Sequence, residues 1–177
     1  VLVPADSREA ASMMEFMTSD KGPTYMRIVR DDTEDINDQD YVYELGKGQV
    51  LREGKDISII ACGPMVKKAL DAASQLEATG VDARVVNMST IKPLDAETVL
   101  ACARETRGII TVEDHSIYGG LGSAVAELVV ENYPVKMKLI GVNDSFGMSG
   151  SCQDLYRYYG LTSERIVNEA LGILDRD

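Results

Sequence analysis

From Asp56 onward, apolar runs of strand length alternate four times with stretches of helical periodicity, and this alternation limits the fold more than any other feature of the chain. Residues 57–62 form a continuous apolar strand. Gly63-Pro64 then opens a helix, with proline in the first turn, where its missing N–H costs little. Met65, Val66, Ala69, Leu70, Ala73 and Leu76 share one helical face, and Gly80 ends it. Residues 83–88 are the second strand. Asp95 caps the next helix, with Leu94 and Val99 at hydrophobic-staple spacing. Residues 109–112 are the third strand, and Gly119 to Gly122 open a helix whose apolar face is Leu121, Val125, Leu128 and Val129. Residues 137–142 are the fourth strand. Thr162 or Ser163 caps a last helix, with Ile166, Val167, Ala170, Leu171 and Leu174 facing inward. Apolar strands separated by helices call for an α/β fold. The expected architecture is an open, mostly parallel sheet with helices on both faces, a three-layer αβα unit over about residues 56–175.

The preceding residues are less regular. Residues 1–4 read as a strand that closes an earlier unit. Asp6 reads as an N-cap for a helix over 8–17, with Glu9 at capping-box spacing. Lys21-Gly22-Pro23 stops that helix, and 24–29 has a short strand pattern. Residues 31–40 hold six acids and no base, the composition of a solvated linker. Residues 41–56 have hairpin or crossover character, with Gly46, Gly48 and Gly54 as turn points. Residues 1–40 therefore read as the tail of another domain plus an acidic linker. Without the rest of that domain they are expected to be partly disordered or to pack on a neighbouring copy.

Charge and thiols narrow the function. A net charge of -11 argues against holding nucleic acid by bulk electrostatics. No apolar run is long enough to cross a membrane. Cys62, Cys102 and Cys152 lie far apart without a CxxC spacing, and the single His115 cannot complete a zinc set. Reduced thiols in a cytoplasmic protein are expected, two of them in a core.

In open α/β sheets, ligands sit at the C-terminal strand ends. Here the richest such end is Glu113-Asp114-His115, followed by a turn containing Gly119, Gly120 and Gly122. A glycine-rich turn at a helix N-terminus suits a phosphate or carboxylate ligand. The alternative is a tight structural turn in which Glu113 or Asp114 accepts those N–H groups itself. His115 reads either as a general base or as a structural or interface histidine. Tyr156, Tyr158 and Tyr159 read as base-stacking groups or, with more weight, as core or subunit interface.

Taken in order, these stretches resemble the transketolase family. Residues 1–6, VLVPAD, and 22–30, GPTYMRIVR, are similar to the end of the pyrimidine-binding domain. Residues 113–127, EDHSIYGGLGSAVAE, resemble the C-terminal domain. Asp144-Ser145-Phe146-Gly147, Ser149-Gly150 and Tyr159-Gly160-Leu161-Thr162 are similar to its end. The resemblance implies that residues 1–40 are the tail of the pyrimidine-binding domain with an acidic linker, and 41–177 the C-terminal domain. It implies transfer of a two-carbon ketol unit between sugar phosphates, with thiamine diphosphate and a divalent metal in the full enzyme. No Gly-Asp-Gly diphosphate motif is present, so no metal site, catalytic residue or bound cofactor is expected on this chain alone. The implied partners are an N-terminal diphosphate-binding subunit or domain, a second copy in a homodimer, and a sugar phosphate. By the same resemblance Arg30 grips the substrate phosphate, a role suited to a planar guanidinium; the alternative is that it pairs with the nearby acidic run. Asp31-Asp32 follow it where the family has neutral residues, which bears on substrate preference. Alternatives are a non-catalytic dimerisation or docking domain, or a regulatory ligand-binding domain. Such a domain would belong to a related enzyme, a deoxyxylulose-phosphate synthase or a 2-oxoacid dehydrogenase β subunit.

Overall fold

A computed structural model describes residues 1–175. Five strands form one sheet: β1 (Gln49–Arg52), β2 (Ile57–Ala61), β3 (Ala83–Asn87), β4 (Ile109–Ser116) and β5 (Met137–Val142). Their order is β1-β3-β2-β4-β5, with β3, β2, β4 and β5 parallel and β1 antiparallel on the edge. Six helices accompany them: α1 (Ser7–Ser19), α2 (Met65–Glu77), α3 (Ala96–Glu105), α4 (Leu121–Asn132), α5 (Cys152–Tyr159) and α6 (Ser163–Leu174).

The central strand β2 is buried along its whole length, and its alternation feeds two cores. Ile57, Ile59 and Ala61 face α2 and α6, where Met65, Ala69, Leu76, Ile166 and Ala170 are buried. Ile60 and Cys62 face α3 and α4, packing with Val99, Cys102, Leu121 and Val125. The expected three-layer αβα architecture is thus the observed one. Its caps follow from side-chain acceptors at the right spacing: Asp95 accepts from Thr98 N–H, and Thr162, rather than Ser163, accepts from Arg165 N–H. Cys62, Cys102 and Cys152 are free thiols, the first two buried.

The chain leaves β2 toward β3 on one side and later returns to β4 on the other. The crevice between the C-terminal ends of β2 and β4 is therefore the topological switch point.

Several elements differ from the sequence reading. Strand β1 falls within the stretch read as hairpin or crossover. Strand β4 runs to Ser116 instead of ending at Val112, with a register break against β5 between those residues. Helix α5 covers the tyrosine cluster. The expected strands 1–4 and 24–29 shrink to isolated bridges of Leu2 with Met26 and Thr90. Leu2 bonds Tyr25 and Arg27, but Val3 then turns to Ser89 and Gly63, so no ladder propagates.

Residues 1–40 pack on their own chain. Val3 and Ala5 enter the two sheet cores, and Leu2 and Met13 form a third cluster with Tyr43. Asp6 caps α1 by accepting from Glu9 N–H at 2.8 Å. The Glu9 carboxylate does not return to the cap residue. It is fully buried and accepts from Ala5 N–H at 2.7 Å, Tyr41 Oη at 2.9 Å and Asn87 Nδ2 at 3.0 Å. The acidic linker is also anchored. Asp6 Oδ2 accepts the N–H groups of Ile36 and Asn37, both at 2.7 Å, and Arg8 pairs with Asp35 at 2.7 Å.

Candidate functional site

At the switch point, β4 presents Glu113 and Asp114 on alternate sides of the strand. Glu113 is buried, and its two oxygens accept from Leu121 N–H and Gly122 N–H, each at 2.8 Å. The positive end of α4 is thus occupied by a side chain of the protein itself. Burial drives the Glu113 carboxyl above its ordinary pKa, against the opposing pull of those N–H groups, His115 and Arg27. Gly120 exists to admit this contact: a Cβ there would lie 2.0 Å from Glu113 Oε2. Gly122 is equally confined, since a Cβ would come within 2.8 Å of Leu139 and Thr111 side-chain atoms. Gly119 adopts φ +75°, and its N–H donates to Ser123 Oγ at 2.9 Å.

Asp114 is committed to a partner that the sequence reading did not include. Arg27 donates to Asp114 Oδ1 at 2.6 Å and to its carbonyl at 3.3 Å, with both side chains largely buried. Nothing local signals this pair, because its members are 87 residues apart. Arg27 also sits beside Cys62, whose thiol is pushed well up in pKa by burial and by Glu113 and Asp114. A buried thiol held neutral is a poor nucleophile.

His115 is half-exposed, and its Nδ1 lies 2.9 Å from the Ser116 carbonyl and 3.8 Å from Glu113 Oε2. A carbonyl only accepts, so that contact places the proton on Nδ1. Together with Tyr25, Arg27, Gly119 and Gly120, His115 lines a cleft of about 140 Å³. The crevice therefore unites Glu113, Asp114, His115, Gly119, Gly120 and Gly122, but its acids and helix N–H groups are already satisfied.

Arg30 lines a neighbouring groove that Arg27 and Asp114 also border. It is exposed, and among the described residues it has no hydrogen bond or ion pair. The groove is open, about 700 Å³, and is also lined by Asp31, Gly150, Leu155 and Tyr156. Tyr156 and Tyr159 pack against the core, whereas Tyr158 is exposed.

The donor set does not fit a diphosphate–metal site. Glu113 and Asp114 are spent on N–H groups and on Arg27, and their charge would repel a diphosphate. Among the described residues no group of three or more His, Cys, Asp or Glu side chains is placed to hold a metal. No described helix is long and apolar enough to cross a membrane.

Comparison with known proteins agrees with this architecture. A family model described as transketolase, C-terminal domain, matches residues 46–166. A putative transketolase C-terminal section from Methanocaldococcus jannaschii is 41% identical over 174 residues, covering 97% of this chain and 54% of that protein. A 1-deoxy-D-xylulose-5-phosphate synthase from Desulfotalea psychrophila is 36% identical over 184 residues, covering all of this chain and 28% of that protein. A solved structure described as a split gene transketolase, inactive beta4 tetramer, superposes with a TM-score of 0.95 at 43% identity. That match covers 98% of this chain and 57% of the other. The chain spans about half the length of several curated relatives it matches. With the family model covering most of the chain and a near-identical fold at 43% identity, the chain belongs to the transketolase C-terminal domain family.

Proposed function

We propose that this chain is the C-terminal part of a thiamine-diphosphate-dependent transketolase that moves a two-carbon ketol unit between sugar phosphates. In this reading residues 1–40 complete the pyrimidine-binding domain and 41–177 form the C-terminal domain. The chain is inactive alone. It contributes assembly and one substrate contact, while an N-terminal diphosphate-binding subunit or domain carries the cofactor and metal, and the assembled unit dimerises. The relatives support it by name: one is a putative transketolase C-terminal section, and another is described as a split gene transketolase, inactive beta4 tetramer.

The observation that carries the substrate contact is the contrast among the cations near the linker. Arg8, Arg27 and Lys67 are each paired with an acid, whereas Arg30 is exposed and free of such a partner among the described residues. A guanidinium left unpaired on a groove wall suits a phosphate, which it can grip with two charge-assisted hydrogen bonds. In the assembled enzyme Arg30→Ala should raise KM for phosphorylated sugars about 10- to 100-fold, the loss of a charged hydrogen bond, with little change in kcat. An unchanged KM contradicts the contact.

A deoxyxylulose-phosphate synthase is the second reading, favoured by the 36% identity over the whole chain. Product analysis of the assembled enzyme separates the two: ketol transfer to an aldose in one case, decarboxylative condensation of pyruvate in the other.

A further inference from the structure

The ion pair of Arg27 with Asp114 stands between the crevice and the groove. Arg27 lines both, and Asp114 borders the groove that carries Arg30. The hold is double: one guanidinium nitrogen donates to Asp114 Oδ1 at 2.6 Å, the other to the Asp114 carbonyl at 3.3 Å. The two side chains are only 22% and 11% exposed, and both belong to this chain. A bond to a main-chain carbonyl ties Arg27 to β4 itself, and not only to a side chain that could turn away. The Arg27 backbone is held too, its N–H donating to the Leu2 carbonyl at 2.9 Å.

Arg30 follows three residues later. Three extended residues span at most about 10 Å, so the place of Arg27 limits where the Arg30 backbone can lie. Among the described residues no hydrogen bond or ion pair holds Ile28, Val29 or Arg30. The next ion pair along the chain is Glu34 with Lys67 at 3.4 Å, through a glutamate side chain that is 72% exposed. The firm anchor for this stretch is therefore Arg27 on Asp114. A buried ion pair adds little net stability over apolar residues of similar shape, because desolvating two charges offsets their attraction. Its directional bonds fix a position all the same. An arginine that meets a phosphate loses rotamer freedom, and a backbone already held in place reduces what must be ordered on binding.

We propose that Asp114 is a positioning residue for the substrate: through Arg27 it holds the segment 27–30 against β4, so that Arg30 is presented to the anionic end of the sugar. The inference deepens the proposed function and rests on its Arg30 contact. The test is steady-state ketol transfer by the full-length polypeptide assembled with its N-terminal section, from xylulose 5-phosphate and from xylulose without the phosphate. Asp114→Ala should raise KM for xylulose 5-phosphate about 10-fold, part of the loss expected for Arg30→Ala. Its kcat, and its kcat/KM for xylulose, should stay unchanged. Asp114→Asn keeps an oxygen that accepts from Arg27 and should remain within about 2-fold of the unmodified enzyme. Arg27→Lys keeps the charge, and with it the fold, but lacks the planar fork that reaches both acceptors, so KM should rise about 3-fold. This variant decides the matter if Asp114→Ala does not assemble. The double variant of Asp114→Ala with Arg30→Ala should be no worse than Arg30→Ala alone, because a residue acting through Arg30 then has nothing to act on. Additive losses, or a fall in kcat with both sugars, would overturn the inference in favour of a purely structural pair. An unchanged KM in Asp114→Ala beside a raised one in Arg30→Ala would overturn it and leave the proposed function standing. An unchanged KM in Arg30→Ala would remove the contact and this inference with it. Absence of ketol transfer by the unmodified assembly would contradict the proposed function and the inference together.

Discussion

Replacing Gly120 with alanine would put a methyl group 2.0 Å from the carboxylate that caps α4. Glu113 cannot retreat, because it is buried and bonded to two backbone N–H groups. Gly120→Ala should therefore lower unfolding stability by about 3 kcal/mol, the range of core overpacking with loss of a cap. Gly147→Ala, with no atom within 4 Å of its added Cβ, should change little. Urea denaturation distinguishes the two, and equal effects would contradict the assignment. Asp6 carries a pH signature. Burial opposes its charge, but hydrogen bonds from Asn37, Glu9 and Ile36 outweigh burial and hold the carboxyl below its ordinary 3.8. Its contribution is present above that value and is lost as pH falls through the lowered one. Asp6→Ala should cost about 1–2 kcal/mol at neutral pH, as for other N-caps, and the difference from the unmodified chain should shrink below pH 3.8. Glu113, raised by burial, gives the opposite slope, but it is present in both proteins and cancels in the difference.

At the scale of elements, Glu9 is the joint between α1 and the sheet. Its carboxylate takes donors from the residue before the cap, from the linker side through Tyr41, and from the end of β3 through Asn87. Glu9→Leu leaves those donors buried without an acceptor and should cost about 3 kcal/mol. Hydrogen exchange should quicken in α1 while β2 and β4 keep their protection. Uniform loss across the chain, or no loss in α1, would contradict a joint. The elements that the sequence revealed are those built from continuous apolar runs, β2, β3 and β5, and the helices packed on them. Strand β1 escaped because four residues on a half-exposed antiparallel edge need no apolar run. Strand β4 was cut short because Glu113 to Ser116 are polar, and pairing with β5 resumes only at Ser116 after a register break. Helix α5 has no fully buried residue to set a helical apolar face, so its tyrosines read as a core or interface cluster and not as an element.

For the molecule as a whole, the sequence motifs pointed to the crevice at the end of β4 and left its occupant open. In the structure the Glu113 carboxylate accepts the N–H groups of Leu121 and Gly122 at that helix terminus. Arg27 was illegible because long-range pairing with Asp114 leaves no local pattern. What the fold leaves available is unpaired Arg30, on a groove that Asp114 and Arg27 also line. The proposed function places the cofactor chemistry outside this chain. The most direct test mixes the full-length version of this polypeptide with its N-terminal diphosphate-binding section and assays ketol transfer from xylulose 5-phosphate, with and without thiamine diphosphate. The account predicts transfer that requires both polypeptides and the cofactor. Transfer by either polypeptide alone, or none from a cofactor-loaded complex of the two, would contradict it.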